Sequence, residues 1–175
     1  MNRRDITNFL SKLLVEQRFR GMGKYWANEV TLDYGSEHPK RVDFMQFVPP
    51  STMSVSGIEK GEFICYEVKS CMNDYKSGHG QNFIGERNYF VMPMSLYKSL
   101  CQGNLGINIG VMVPIPKGAD KYEEFENPTE LDDKLQWELI IIKNSYPKGR
   151  DYSLAELLFC ILRSGQDFRF LEDSQ

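Results

Sequence analysis

Ile6, Phe9, Leu10, Leu13 and Leu14 recur three and four residues apart, Gln17 continues the series, and Gly21 and Gly23 follow. That spacing predicts a helix of about four turns with one apolar face and a glycine stop. The period then changes. The aromatic and β-branched stretch KYWANEVTLDY predicts a strand, ended by the turn-prone GSEHP, and RVDFMQFV predicts a second strand before Pro49-Pro50. STMSVSGIEKGE reads as a polar connection, EFICYEVKSC as a strongly apolar third strand and NDYKSGHG as a loop. GQNFIGER predicts a short helix that Gly85 weakens, and NYFVM a buried fourth strand. Beyond it come a helix from Ser95 to Leu100 and a fifth strand, INIGVMVPIP. An exposed acidic loop follows to Asp133, then a sixth strand, LQWELIIIK, and a C-terminal helix capped by Ser153.

The resulting order is helix, three strands, helix, strand, with later additions. Short connections allow the first three strands to form an antiparallel meander, and a helical crossover allows the fourth to pair in parallel. No repeat, low-complexity tract or composition shift divides the chain. The expectation is one α/β domain over residues 1–175, with a core at about 5–115 and a C-terminal extension from about 116.

Composition narrows the class. At 175 residues, 41% hydrophobic and 26% charged, the chain has the make-up of a globular domain. No apolar run approaches the roughly 20 residues of a membrane span, and the N-terminus lacks a signal-peptide pattern, so a cytoplasmic protein is expected. Cys65, Cys71, Cys101 and Cys160 form no C-x-x-C pair, and reduced thiols are expected. The net charge of −3 does not advertise nucleic-acid binding, but its distribution is uneven. Residues 1–90 hold 12 basic against 11 acidic side chains, and residues 91–175 hold 9 against 13. Seven of those acids lie between Asp120 and Asp133. A DNA partner should therefore meet the N-terminal half.

The candidate chemistry sits on the third strand. Strand alternation puts Phe63, Cys65, Glu67 and Lys69 on one face, with Glu67 and Lys69 roughly 6–7 Å apart. Charges in so apolar a strand need a partner or a metal. Asp43 interrupts the apolar second strand in the same way, and in a meander it can lie beside Glu67. Two carboxylates and the Val68 carbonyl would form an oxygen-rich pocket suited to Mg²⁺ or Mn²⁺. Lys69 could orient water or stabilise developing negative charge. The competing reading of these residues is a buried ion pair that closes the sheet end.

RVDF, FICYEVKSCMNDYK and NYFVMP together resemble the PD-(D/E)xK nucleases, and most nearly the MmcB-like branch of DNA-repair-associated proteins. The matching positions are Arg41 with Asp43, Glu67 with Lys69 and Ser70, Asp74 with Tyr75, and Tyr89-Phe90 with Pro93. The resemblance covers about residues 5–115 and implies a restriction-endonuclease-like core acting on DNA. By it, Asp43 and Glu67 would bind the metal and Lys69 would serve the attacking water. Glu29 or Glu16 would complete the metal site, and Gln81, at the start of the second helix, would approach the scissile phosphate. The sequence departs from the MmcB-like pattern at GHGQN, where a Lys-Trp pair is usual; His79 there could contact phosphate. Of the basic side chains from Arg3 to Arg87, Arg41, Lys76 and Arg87 stand nearest the expected site as contacts for a DNA backbone.

Three functions follow. The first is a Mg²⁺- or Mn²⁺-dependent deoxyribonuclease, possible as a homodimer through its C-terminal strand and helix. The second is a catalytically silent module of the same fold. The third is an interaction domain whose E-x-K is a core salt bridge and whose acidic 120–133 segment makes the contact. No P-loop, dinucleotide fingerprint or Ser-His-Asp set supports another enzyme class.

Overall fold

In the computed structural model of the chain, residues 1–50, 55–101 and 105–166 are described. The first helix, α1 (Arg3–Leu14), starts at a reciprocal cap: Asn2 Oδ1 accepts from the Asp5 N–H at 3.0 Å, and Asp5 Oδ2 accepts from the Asn2 N–H at 3.1 Å. The helix runs directly into a π-helical turn, Val15–Phe19, which completes the predicted four turns. Strands β1 (Tyr25–Leu32), β2 (Lys40–Val48) and β3 (Glu62–Val68) follow, with a single helical turn, α2 (Val55–Ile58), between the second and third. Residues 51–54 of the expected connection lie outside the described residues. Next come α3 (Met72–Lys76), β4 (Arg87–Val91), α4 (Met94–Leu100), β5 (Ile109–Pro116), α5 (Lys121–Glu126), β6 (Trp137–Lys143) and α6 (Leu154–Ser164).

The six strands form one sheet in chain order. β1, β2 and β3 are an antiparallel meander, β4 pairs parallel to β3, β5 parallel to β4, and β6 antiparallel to β5. The expected meander and parallel fourth strand are therefore present. The C-terminal extension is continuous with this sheet, because β6 pairs with β5 and α6 packs on β1 and β2.

Apolar residues on alternate strand positions separate into two faces. On one, Leu10, Leu14 and Phe19 pack on Trp26, Phe44, Tyr66, Val91 and Met112. Phe19 stacks on Trp26 at 4.9 Å and meets the Tyr66 ring edge-on at 5.3 Å. On the other face, α6 covers Ala27, Val30, Met45, Phe63 and Cys65, while α4 and α5 cover Phe90, Val111 and Val113. Glu67 pairs in register with Phe90, so it shares this second face.

Three local expectations are corrected. No helix forms over GQNFIGER; the chain crosses from β3 to β4 through α3, which occupies the expected NDYK loop, and then as an irregular strap. Gly78, Gly80 and Phe83 hold φ values of 70°, 75° and 47°, which no α-helix accommodates. At Gly85 an added Cβ would lie 2.9 Å from both the Cys65 nitrogen and the Phe63 oxygen, so only glycine lets the strap lie flat on β3. The Asn88 side chain pins it there, accepting from the Gly85 N–H at 3.0 Å and donating to the Gly85 carbonyl at 2.7 Å.

The acidic segment is likewise no simple loop. Asp120 Oδ1 caps α5 through the Tyr122 and Glu123 N–H groups, and Phe125 packs against the second face. Glu124 is buried and accepts from both the N–H and the hydroxyl of Thr129. Two of the seven acids, Asp120 and Glu124, thus serve the fold rather than a contact surface. All four cysteines are free, and burial pushes the Cys65 thiol up to about 12. No helix among the described residues is long and apolar enough to cross a membrane.

Candidate active site

The antiparallel pairing of β2 with β3 ends at Phe44↔Tyr66. One step further, the Val68 N–H lacks a strand partner, and Asp43 Oδ2 accepts from it at 2.9 Å. The Asp43 carboxylate thus replaces a backbone carbonyl where the strands diverge, next to Glu67. On the far side of β3, the Lys69 N–H still donates to the Val91 carbonyl at 2.9 Å, holding the strand end against β4.

Glu67 and Lys69 are almost wholly buried, 5% and 2% exposed. Lys69 Nζ donates to Glu67 Oε1 at 3.1 Å and to the His79 carbonyl at 2.6 Å. Two of the ammonium's three donors are thereby committed. Glu67 Oε2 is buried with no hydrogen-bond partner. Gly80 closes over the same carboxylate so tightly that an added Cβ would fall 1.7 Å from Oε1.

Burial, followed by the negative charge of Asp43, pushes the Glu67 carboxyl up to about 7 against the pull of Lys69. Asp43 is raised too. Burial is its main cause, opposed by the Val68 N–H and reinforced by the charge of Glu29.

These groups open onto a cleft of about 800 Å³ lined also by Arg3, Glu29, Arg41, Asp74, His79 and Asn82. Glu29 lies between the register pairs Asn28↔Phe44 and Val30↔Val42, the position facing Asp43, and has φ 53° within a strand. A non-glycine residue there is strained by roughly 1–2 kcal/mol. Ala27 and Val30, which strict alternation would separate, consequently join the same apolar cluster. Glu29 Oε2 pairs with Arg41 Nε at 3.0 Å.

Of the residues singled out from sequence, Asp43, Glu67, Val68, Lys69, Glu29 and Arg41 all line the cleft. Glu16 does not: it pairs with Arg20 at 3.8 Å and faces a separate groove beside α1 and β6. Gln81 is not among the cleft residues either, since its side chain donates to the Tyr75 carbonyl at 2.7 Å and no helix carries it. Arg87 is at the start of β4, the opposite end of the sheet, bound to Glu62 and the Ser145 carbonyl. Lys76 is exposed on α3 and also absent from the lining.

His79, marked in the sequence as a phosphate contact, also lines the cleft, and the structure adds groups and roles that spacing did not mark. His79 enters through its carbonyl as well as its place on the cleft wall, Gly80 through its missing side chain, and Asn82 through an amide that donates to the Arg41 carbonyl at 2.7 Å. Asp74, matched only through the resemblance, accepts at Oδ2 from both the N–H and the hydroxyl of Ser70 at 3.1 Å. Arg3 NH2 donates to its Oδ1 at 2.8 Å, tying α1 to α3. Burial opposes the ionised Asp74 carboxyl, but these bonds from Ser70, with Lys69 and Arg3 nearby, hold it below the ordinary aspartate range. The only sequence signal for this cluster was the Gly-His-Gly run, which marks a backbone of unusual conformation without saying what it packs against.

No protein-family model matches the chain, and no curated protein sequence is significantly similar to it. A solved structure, a protein of unknown function from Silicibacter pomeroyi (SPO1766), is similar in fold, with a TM-score of 0.51 and 18% identity over 86% of this chain and 78% of that one. The likeness is one of fold alone.

Proposed function

We propose that this protein is a Mg²⁺- or Mn²⁺-dependent nuclease that hydrolyses DNA phosphodiester bonds, with a restriction-endonuclease-like core of the PD-(D/E)xK kind. One observation carries the reading: Glu67, two residues before a buried lysine, keeps a buried carboxylate oxygen with no partner, and it lines one cleft together with Asp43. A buried carboxylate ordinarily has its hydrogen bonds satisfied, so an orphan oxygen in a cleft marks a place for a cation.

The donor set fits a small divalent ion. Among the described residues no group of three or more His, Cys, Asp or Glu side chains converges on one point, which disfavours a closed all-protein cage. Mg²⁺ does not need one, since it usually keeps several waters and takes one or two carboxylates plus substrate phosphate. Asp43, Glu67 and the Val68 carbonyl would hold the ion, with Glu29 within the same cleft. When bound, it would polarise the phosphodiester and lower the pKa of water.

The remaining work falls to the chain. Asp43 is oriented by the Val68 N–H. Lys69, fixed by Glu67 and the His79 carbonyl, retains one donor for a water or a phosphoryl oxygen, in surroundings where a cation is poorly screened. Arg41 supplies a guanidinium at the cleft edge for the DNA backbone.

A second reading, a silent module of the same fold, has one observation in its favour: Gly80 and Lys69 seal Glu67 from solvent. Incubating linear, nicked and single-stranded DNA with purified protein and Mn²⁺ separates the two. The nuclease reading expects cleavage that EDTA abolishes and that Asp43→Ala and Lys69→Ala each reduce at least 100-fold, on the order of what loss of one charge-stabilising donor causes. Absence of cleavage on every substrate, with no Mn²⁺-induced change in stability, would refute it.

A further inference from the structure

We propose that Arg3 is an anchor for a DNA backbone phosphate and that Asp74 is the residue that positions it; the proposal rests on the nuclease reading of the cleft. Arg3 is the first residue of α1, far in sequence from every other group of the site, and its side chain is 66% exposed on the cleft wall. Its guanidinium touches Asp74 through one terminal nitrogen only, at 2.8 Å. The remaining donors of that planar fork are directed to no other residue in the described structure. A guanidinium with a free edge matches two phosphate oxygens at once.

Asp74 is built to aim rather than to bind. Its side chain is 14% exposed, and both oxygens are occupied, Oδ1 by Arg3 and Oδ2 by the Ser70 N–H and hydroxyl. To ligate a cation it would have to surrender those bonds. What it does instead is fix Arg3 to the residue that follows Lys69, so the anchoring cation and the buried lysine move as one unit. An ion pair whose arginine is this exposed adds little to folding, yet it joins α1, α3 and the segment that follows β3.

The same logic selects against the other basic candidates. Arg87 is at the far sheet end, where Nε is bound to Glu62 and one terminal nitrogen to the Ser145 carbonyl, and Lys76 is not on the cleft. Arg3 and Arg41 come from different elements yet line one cleft, each pre-set by a single acid, Asp74 or Glu29. Two guanidinium groups lining one cleft suit a polyanionic strand better than a lone anion.

The test is fluorescence anisotropy of a short labelled duplex and of its single strand, with Ca²⁺ present and salt varied, using the whole chain. Arg3→Ala is expected to weaken binding about tenfold and to reduce the slope of log K against log salt by about 1. Arg3→Lys should keep the slope but recover only part of the affinity, because a point charge replaces a fork. Asp74→Asn should keep the slope while weakening binding several-fold. In Mn²⁺ cleavage, Arg3→Ala should raise KM more than it lowers kcat.

Unchanged affinity and slope in Arg3→Ala would overturn the proposal. So would displacement of DNA by inorganic phosphate at concentrations matching its nucleotide content, which would mark a free-phosphate site. The two readings fail separately. Loss of the slope without any Mn²⁺-dependent cleavage leaves the anchor standing and removes the nuclease; cleavage with an unaltered slope and KM in Arg3→Ala removes the anchor alone.

Discussion

The protonation of Glu67 couples the candidate site to the stability of the whole chain. In the unfolded chain its carboxyl titrates near 4.5; in the folded chain burial and Asp43 push it up to about 7. Between those values the folded protein holds a proton that the unfolded protein has released. Stability is therefore greatest below the unfolded value and falls as pH rises through the folded one, opposite to the usual salt-bridged carboxylate. The raise corresponds to about 3 kcal/mol, and because Glu67 is only 5% exposed little of it is screened by solvent. Asp43 shifts in the same direction and adds to the slope. Asp74 and Asp151 are lowered, so their contribution is lost only on acidification below the ordinary aspartate range, outside this window.

Urea denaturation at intervals from about pH 5 to about pH 8 measures the effect. Stability should decline across that range by a value on the order of 3 kcal/mol, and Glu67→Gln should flatten the decline. Mn²⁺ binds the ionised carboxylates, so the stability it confers should grow over the same interval. A stability that is flat or rising from about pH 5 to about pH 8 in wild type would refute the burial argument, and a Mn²⁺ effect independent of pH would refute the cation's place on Glu67.

Three further outcomes are expected. Gly80→Ala places a methyl 1.7 Å from Glu67 Oε1 at φ 75°, so thermal unfolding should show a loss of about 2–4 kcal/mol, and Mn²⁺ should no longer stabilise the protein. Lys69→Met leaves Glu67 buried without its cation; urea unfolding at about pH 8 should show a loss of about 3–5 kcal/mol that shrinks on acidification as Glu67 protonates. Arg150→Ala breaks a half-hidden pair with Glu86 at 2.6 Å and a bond to the Gly61 carbonyl at 2.7 Å, at the end of the sheet remote from the cleft. It should lower stability by about 2–4 kcal/mol while Mn²⁺-dependent cleavage below the melting temperature stays at the wild-type level.

The strands and the two long helices were legible in the sequence because each carries its own periodicity. Phe63, Cys65, Glu67 and Lys69 are on alternate positions whatever the rest of the chain does, and the Ser153 cap acts within one turn of its helix. The juxtaposition of Asp43 with Glu67 was legible too, since short connections leave three successive strands little choice but a meander.

The strap between β3 and β4 was not. Whether GQNFIGER becomes a helix depends on Gly85 fitting against the backbone of β3 and on Asn88 gripping it, contacts made only when the sheet exists. Glu29 was legible as a carboxylate but not as a strained one, and Glu29 could be separated from Glu16 only once the two were seen on different surfaces. Gln81, Lys76 and Arg87 lie off the cleft for the same reason: proximity in sequence to a charged strand end says nothing of direction, and Arg87 begins a parallel strand whose start is a full strand length from the cleft. Periodicity is local and is written residue by residue. Which charge meets which across 71 residues, as Arg3 meets Asp74, is decided by packing alone.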